Sequence, residues 1–200
     1  MIDILSIKPK MTALLLMDFQ RMVVDSYAVD KEALLGRVKR LAVAARKAGA
    51  MVIHVVVGFQ LGHPEISERN SVFSSLKAAG LLAKGDPGAE IYPELTPQPG
   101  DIVVTKQRVS AFTGTNLDMI LRSNNIDTLL LTGILTQGVV LSTLRHASDM
   151  DYRAVIVADG CSDKDPEVQR LLMEKIFPFQ ARIATVEECI GAISVRVATP

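Results

Sequence analysis

Residues 128–140 read Thr-Leu-Leu-Leu-Thr-Gly-Ile-Leu-Thr-Gln-Gly-Val-Val. An unalternating aliphatic run that reaches a glycine is the pattern of a strand buried on both faces, and the residues after it lead into a helix. The strand is expected over residues 128–132 and the helix over 138–149. Working outward, comparable apolar runs stand at 12–17, 51–57, 101–105, 154–158 and 181–185, giving six strands. Between the first two, Leu34, Val38, Leu41, Ala42 and Ala45 fall on one helical face, and Gly49 follows as a stop signal. Further helices are expected over 116–123 and 166–177, the second opened by Asp165 as N-cap with Pro166 in the first helical position. Strands alternating with helices in this way specify an α/β protein, a parallel sheet with helices on both faces, and ligands bind such sheets outside the carboxyl ends of the strands.

The composition narrows the function. The chain has 200 residues, few aromatics, and 22 basic against 22 acidic side chains without a basic block. One domain spanning 1–200 fits that length. Nothing marks a surface for nucleic acid or an anionic membrane, so a small molecule is the expected partner. Cys161 and Cys189 form neither a CxxC pair nor a disulfide framework, which suits a reducing compartment, the cytoplasm by default. The apolar run 13–17 stops at Asp18, too short for a signal core or a membrane span. Residues 59–100 break the rhythm, with Gly62, Pro64, Gly80, Gly85, Pro87, Gly88, Pro93, Pro97 and Pro99 and no long apolar period. A segment of this kind is read as a lid over a site, the alternative being a disordered loop. Nucleotide-binding glycine motifs, HExxH, GxSxG and the EF-hand loop are all absent, and the three dispersed histidines have no ligand spacing. No metal and no cofactor are expected.

Three residues stand where strands end: Asp18 after the first, Lys106 after the third and Gly133 after the fourth. An acid, a base and a helix start therefore converge on one edge. With Asp18-Phe19-Gln20, the segment from Lys106 through Ser110-Ala111-Phe112 and Thr115-Asn116-Leu117, and Thr132, Gly133, Thr136 and Thr143 in the quoted stretch, the chain resembles the isochorismatase-like, or cysteine hydrolase, superfamily from Met11 to about Ile190. The resemblance implies a three-layer α/β/α, doubly wound fold with a six-stranded parallel sheet in the order 3-2-1-4-5-6, and a homo-oligomer, dimer or tetramer. It implies a catalytic Asp18 and Lys106. The family's nucleophilic cysteine falls on Val139, and an isopropyl group cannot attack a carbonyl. Some isochorismatases also lack this cysteine and cleave a vinyl ether without a covalent intermediate, so acid–base hydrolysis is the expected chemistry. The alternative is a catalytically silent, ligand-binding or scaffold member.

In the acid–base reading, backbone groups of Leu135, Thr136, Gly138 and Val139 supply oxyanion-type donors, and Phe19, Gln20, His63, Arg69 and Phe112 contact substrate. By the same resemblance a cis bond is expected between Leu135 and Thr136. Each residue also has a plainer reading: Asp18 as a turn cap, Lys106 as a solvated strand end, His63 as a solvated loop residue. His54 reads as a satisfied core histidine, His146 as a packing or subunit contact, and Cys161 as a small buried hydrophobe. With strand order 3-2-1, Lys106 starts roughly 10 Å from Asp18, so its loop is expected to bend inward. The tail 190–197, with a single charge, is the second sign of self-association.

Overall fold

The computed structural model describes residues 7–194. Six parallel strands form one sheet: β1 (Thr12–Met17), β2 (Met51–Val57), β3 (Ile102–Lys106), β4 (Thr128–Ile134), β5 (Arg153–Ser162) and β6 (Arg182–Ala184). Their order is β3-β2-β1-β4-β5-β6, the expected one. Every residue of β1 and of β4 is buried, because each lies between two neighbours and under helices on both faces. Side chains alternate accordingly. Leu14, Leu16, Val52, Leu130, Val155 and Val157 pack with α1 (Arg21–Tyr27), α2 (Lys31–Ala48) and α7 (Val186–Ser194). Ala13, Leu15, Met17, Ile53, Val55, Leu129 and Leu131 pack with α4 (Leu117–Ser123) and α5 (Leu141–Asp149), which complete the third layer. Each fully buried leucine contributes on the order of 1.5–3 kcal/mol.

The local signals act as expected where chemistry enforces them. Gly49 ends α2 at φ 81°, its N–H bonded back to Ala45 and Arg46 carbonyls. Asp165 caps α6 (Pro166–Leu171), accepting from the Glu167 and Val168 N–H groups. Other boundaries moved. The helix expected over 166–177 loses regular winding after Leu171, passing through a wider turn at Leu172–Ile176 into a tight one at Phe177–Phe179 that contains Pro178, which has no N–H to donate. β4 and β5 run past their apolar stretches, since their ladder continues beyond a register shift between Leu131 and Gly133 to reach Ile134 and Ser162. Residues 190–194 of the tail belong to α7, where Ile193 is buried, so intrachain packing accounts for the apolarity of that part; residues 195–197 lie outside the described residues.

Residues 59–100 are an organised cover. They contain α3 (Ser74–Ala79), and Phe59, Ile66, Phe73 and Leu82 form a small core with Val57 from the end of β2. Gln20 fastens this cover to the sheet. Its side-chain Nε2 donates to the Val57 and Ala89 carbonyls, both at 2.8 Å, and its Oε1 accepts from the Val57 N–H at 2.7 Å.

Away from the strand ends, β2 carries a buried polar cluster. His54 Nε2 lies 3.1 Å from Asp101 Oδ2, and Arg46 of α2 grips the same carboxylate through Nε and one terminal nitrogen at 2.9 and 2.6 Å. Asp101 therefore serves as the hub of this cluster and stands outside β3, which starts one residue later than its apolar run suggests. Burial pushes the His54 imidazole below its ordinary 6.5, against the upward pull of Asp101. Burial opposes charge on Asp101 too, but Arg46, the Gln98 N–H and His54 together hold its carboxyl below the ordinary 3.8.

The sign for His54 follows from linkage. The unfolded chain binds a proton at the ordinary value that the folded chain refuses, so stability is complete above about pH 6.5 and falls as pH drops below it. Urea unfolding between about pH 7.5 and 5 is expected to show this loss in the wild type, and His54→Gln to flatten it even though the variant is less stable at neutral pH. An unchanged slope in His54→Gln would assign the loss to another group.

Candidate active site

The carboxyl ends of β1, β3 and β4 bring the three sequence-marked positions to one place. Asp18 leaves β1 with φ 61°, a left-handed conformation rare for a non-glycine residue, while its N–H bonds the Val55 carbonyl of β2 at 2.8 Å. Backbone strain of this kind persists where surrounding structure enforces it, and often marks function. Lys106 closes β3 and is 1 % exposed. Its Nζ lies 3.0 Å from Asp18 Oδ2 and donates to the Arg108 carbonyl at 3.1 Å. The expected inward bend of the loop is not what closes the gap: β2 lies between the two strands, and the long lysine side chain itself spans its width.

Burial pushes the Asp18 carboxyl above its ordinary 3.8, outweighing the charge and hydrogen bond of Lys106 that pull it down. Its second oxygen, Oδ1, is buried with no partner, and so is Thr136 Oγ1 at the start of the turn after β4. A buried oxygen without a partner is costly, which makes both atoms candidates for contact with a ligand.

Val139 is 2 % exposed and packs in the core between β1 and α5. Gly133 is what lets it do so: a Cβ there would stand 2.9 Å from the Met17 carbonyl oxygen and 3.3 Å from Val139 Cγ1. The cis bond joins Ile134 to Leu135, one residue earlier than expected, where the chain leaves β4. Within the turn Thr136–Val140, the Gly138 and Val140 N–H groups bond the Leu135 carbonyl. The Gln137 N–H goes instead to Asp163 Oδ2 at 2.9 Å, and the Gln137 side chain to Asp163 Oδ1 at 3.0 Å. Asp163 is not among the residues expected from the sequence. It follows β5, so the strand-end rule could have found it in Asp-Gly-Cys-Ser-Asp.

The expected substrate contacts fare differently. Phe19 is buried in the α1/α2 core, and the clamp described above uses both N–H groups of Gln20, so neither faces a ligand here. His63 is buried, adopts φ 51°, donates to the Leu81 carbonyl at 2.7 Å and packs its ring at a tilt against Phe59: it stitches the cover together. Arg69 is exposed on that cover. Phe112 packs against His146 and Tyr152, and Ser110 meets His146 Nδ1 at 3.3 Å, so His146 ties the lysine segment to α5. The Cys161 thiol is buried, lies 3.7 Å from the Leu131 carbonyl and is pushed by burial up to about 12. Among the described residues no three or more His, Cys, Asp or Glu side chains are grouped to hold a metal, and no helix is long and apolar enough to cross a membrane. A cavity of about 480 Å³ opens beneath the cover at the ends of β2 and β3, with Gly58, Phe59, Glu65 and Gln107 in its wall; Asp18, Lys106 and Val139 do not line it.

Known proteins share this arrangement of the chain. The isochorismatase domain family model matches residues 12–188. The ureidoacrylate amidohydrolase RutB of Agrobacterium fabrum is 32 % identical over 212 aligned positions, covering 95 % of this chain and 93 % of that protein. Among solved structures, an isochorismatase family protein from Burkholderia thailandensis superposes with a TM-score of 0.83 at 30 % identity, covering 96 % of this chain and 100 % of the other. The N-carbamoylsarcosine amidase of Thermoplasma acidophilum superposes with a TM-score of 0.72 at 28 % identity, covering 88 % and 96 %. With a matching model over nearly all of its length and full-length relatives above 30 % identity, the chain belongs to the isochorismatase family of hydrolases.

Proposed function

We propose that this protein hydrolyses a small molecule of the vinyl ether or carbamoyl-amide type by acid–base chemistry, without a covalent intermediate. The observation that carries this reading is the Asp18–Lys106 pair: a carboxyl that burial biases towards its protonated form, with one oxygen on an ammonium 3.0 Å away and the other unpartnered. Protonated Asp18 is a general acid within a structure that can hold the carboxylate it becomes, because Lys106 stays beside it. On a vinyl ether the proton would go to carbon, water would add to the resulting oxocarbenium ion and return a proton to Asp18, and the hemiketal would collapse to a carbonyl compound as its C–O bond to the departing alcohol breaks. On a ureido or carbamoyl group the proton would go to the departing nitrogen as water attacks the carbonyl. The relatives named for ureidoacrylate and N-carbamoylsarcosine support the second class. Of the expected oxyanion donors, Gly138 is already bonded to the Leu135 carbonyl, which leaves Leu135, Thr136 and Val139 for that role.

A second reading, a ligand-binding or scaffold member without turnover, draws on a specific observation too. Val139 fills the nucleophile's position, and Asp18, Lys106 and Val139 are all below 10 % exposed. Self-association as a dimer or tetramer is compatible with both readings.

Asp18→Asn separates them. It removes the titrating proton while its side-chain oxygen still accepts from Lys106, so the variant is expected to keep a cooperative melt and to lose about 10²–10⁴-fold in turnover of whichever member of a vinyl ether, ureido acid and small amide panel the wild type cleaves. Rates within a few-fold of wild type would remove Asp18 from the mechanism, and a wild type inert on the whole panel would favour the scaffold. The pH profile carries a sign as well: since the acid form is required, kcat/KM is expected to fall as pH rises through the elevated Asp18 value. Val139→Cys alone is expected to create no strong amidase, because thiolate activation and substrate placement must arrive together. Fast amide turnover with a trapped thioester in that variant would contradict a site organised for acid–base chemistry.

A further inference from the structure

Asp163 is the first residue after β5 and is 4 % exposed. Its Oδ2 accepts the Gln137 backbone N–H at 2.9 Å, and its Oδ1 accepts the Gln137 side-chain amide at 3.0 Å and, more weakly, the Asp165 N–H at 3.4 Å. These partners are all donors, as suits an ionised carboxylate. None of the ion pairs found among the described residues involves Asp163. A buried negative charge is therefore held by N–H groups alone, and the principal ones belong to the second residue of the turn that leads into α5.

The start of a helix gathers unpaired N–H dipoles, and this partial positive charge is what lowers a thiol pKa or steadies an oxyanion placed there. Here a carboxylate already occupies that field, bonded to Gln137 two residues before Val139 in the chain. We propose that Asp163 is a positioning residue that fixes the turn carrying Val139 through Gln137 and, by its charge, makes the helix start unfavourable to a second negative charge at position 139. It touches neither Asp18 nor Val139 through any hydrogen bond or ion pair in the structure, so it acts on position 139 through the turn and through the field of its charge. Chemistry that builds an anion on this turn is disfavoured relative to chemistry in which the substrate takes a proton from Asp18. The inference stands on the Asp163–Gln137 geometry and holds whatever the substrate is, so it can fail or survive independently of the proposed reaction.

The test needs no substrate. Val139→Cys places a titratable probe at the end of the turn, and the thiols of Cys161 and Cys189, pushed by burial up to about 12, stay silent below that range. Thiolate absorbance of Val139→Cys, read against wild type to remove tyrosine ionisation, gives the probe's titration. Adding Asp163→Asn keeps an acceptor for the Gln137 N–H but removes the charge, and is expected to lower the probe's pKa by about one unit or more in a protein with unchanged circular dichroism. Asp163→Ser supplies the same comparison if Asp163→Asn does not fold. Asp165→Asn, which removes a neighbouring charge that caps α6 rather than the turn, is expected to shift the probe by distinctly less. A probe pKa that stays the same or rises in the folded Asp163 variants would overturn the proposal, and so would an equal shift from Asp165→Asn.

Discussion

Asp18 and Lys106 meet over the end of β2, and much of the architecture has to be right for them to do so. The parallel register pairs Met17 with Val55 and Val57 with Lys106, so that β1 and β3 reach the functional edge together with one strand between them. A lysine stem is long enough to bridge that strand; the Asp18 backbone meets it by adopting a left-handed turn and bonding the Val55 carbonyl. Burying such a pair is weak evidence for stability, because desolvation offsets attraction. Its consequence here is chemical: burial favours the protonated carboxyl, and the neighbouring ammonium favours the ionised one, so a single group is set between two states that a proton donor must visit.

The surroundings serve this pair in different ways. Gln20, two residues after Asp18, commits its side-chain amide to the backbone of β2 and of the cover, which fixes that segment beside the strand ends. Gly133 has no side chain because the Met17 carbonyl and the Val139 isopropyl leave no room for one. Asp163 holds the turn from the far side. Val139 thus sits in a closely packed position, beside Gly133 and on a turn that Asp163 holds through Gln137.

The fold was largely legible because buried parallel strands leave unmistakable aliphatic runs, and the run at 12–17 became β1 to the residue. Boundaries were less so where hydrogen bonding rather than hydrophobicity continues a strand, as at Gly133 and Ser162, or where a short helix carries a weak pattern, as in Arg21–Tyr27. Within the site, Asp18, Lys106 and Val139 could be found because each is tied to a strand end or to a spaced motif. For Gln20, His63 and Phe112, residue type tells what a side chain can bond, not what it already bonds: the first two bond backbone carbonyls and the third packs against aromatic rings. For Asp163 the strand-end rule marks the position, but its partner Gln137 lies 26 positions away and only folding brings them together.

The central claim is that Asp18 carries a proton where an ordinary aspartate has lost it. Infrared difference spectra of wild type against Asp18→Asn, recorded across acid to neutral pH, read that proton through the carbonyl stretch of the neutral carboxyl. A protonated-carboxyl band, absent from Asp18→Asn, is expected to persist above pH 3.8 and to disappear only at higher pH. A carboxylate band already complete at or below that value would show that Lys106 outweighs burial, and would leave the site without its acid.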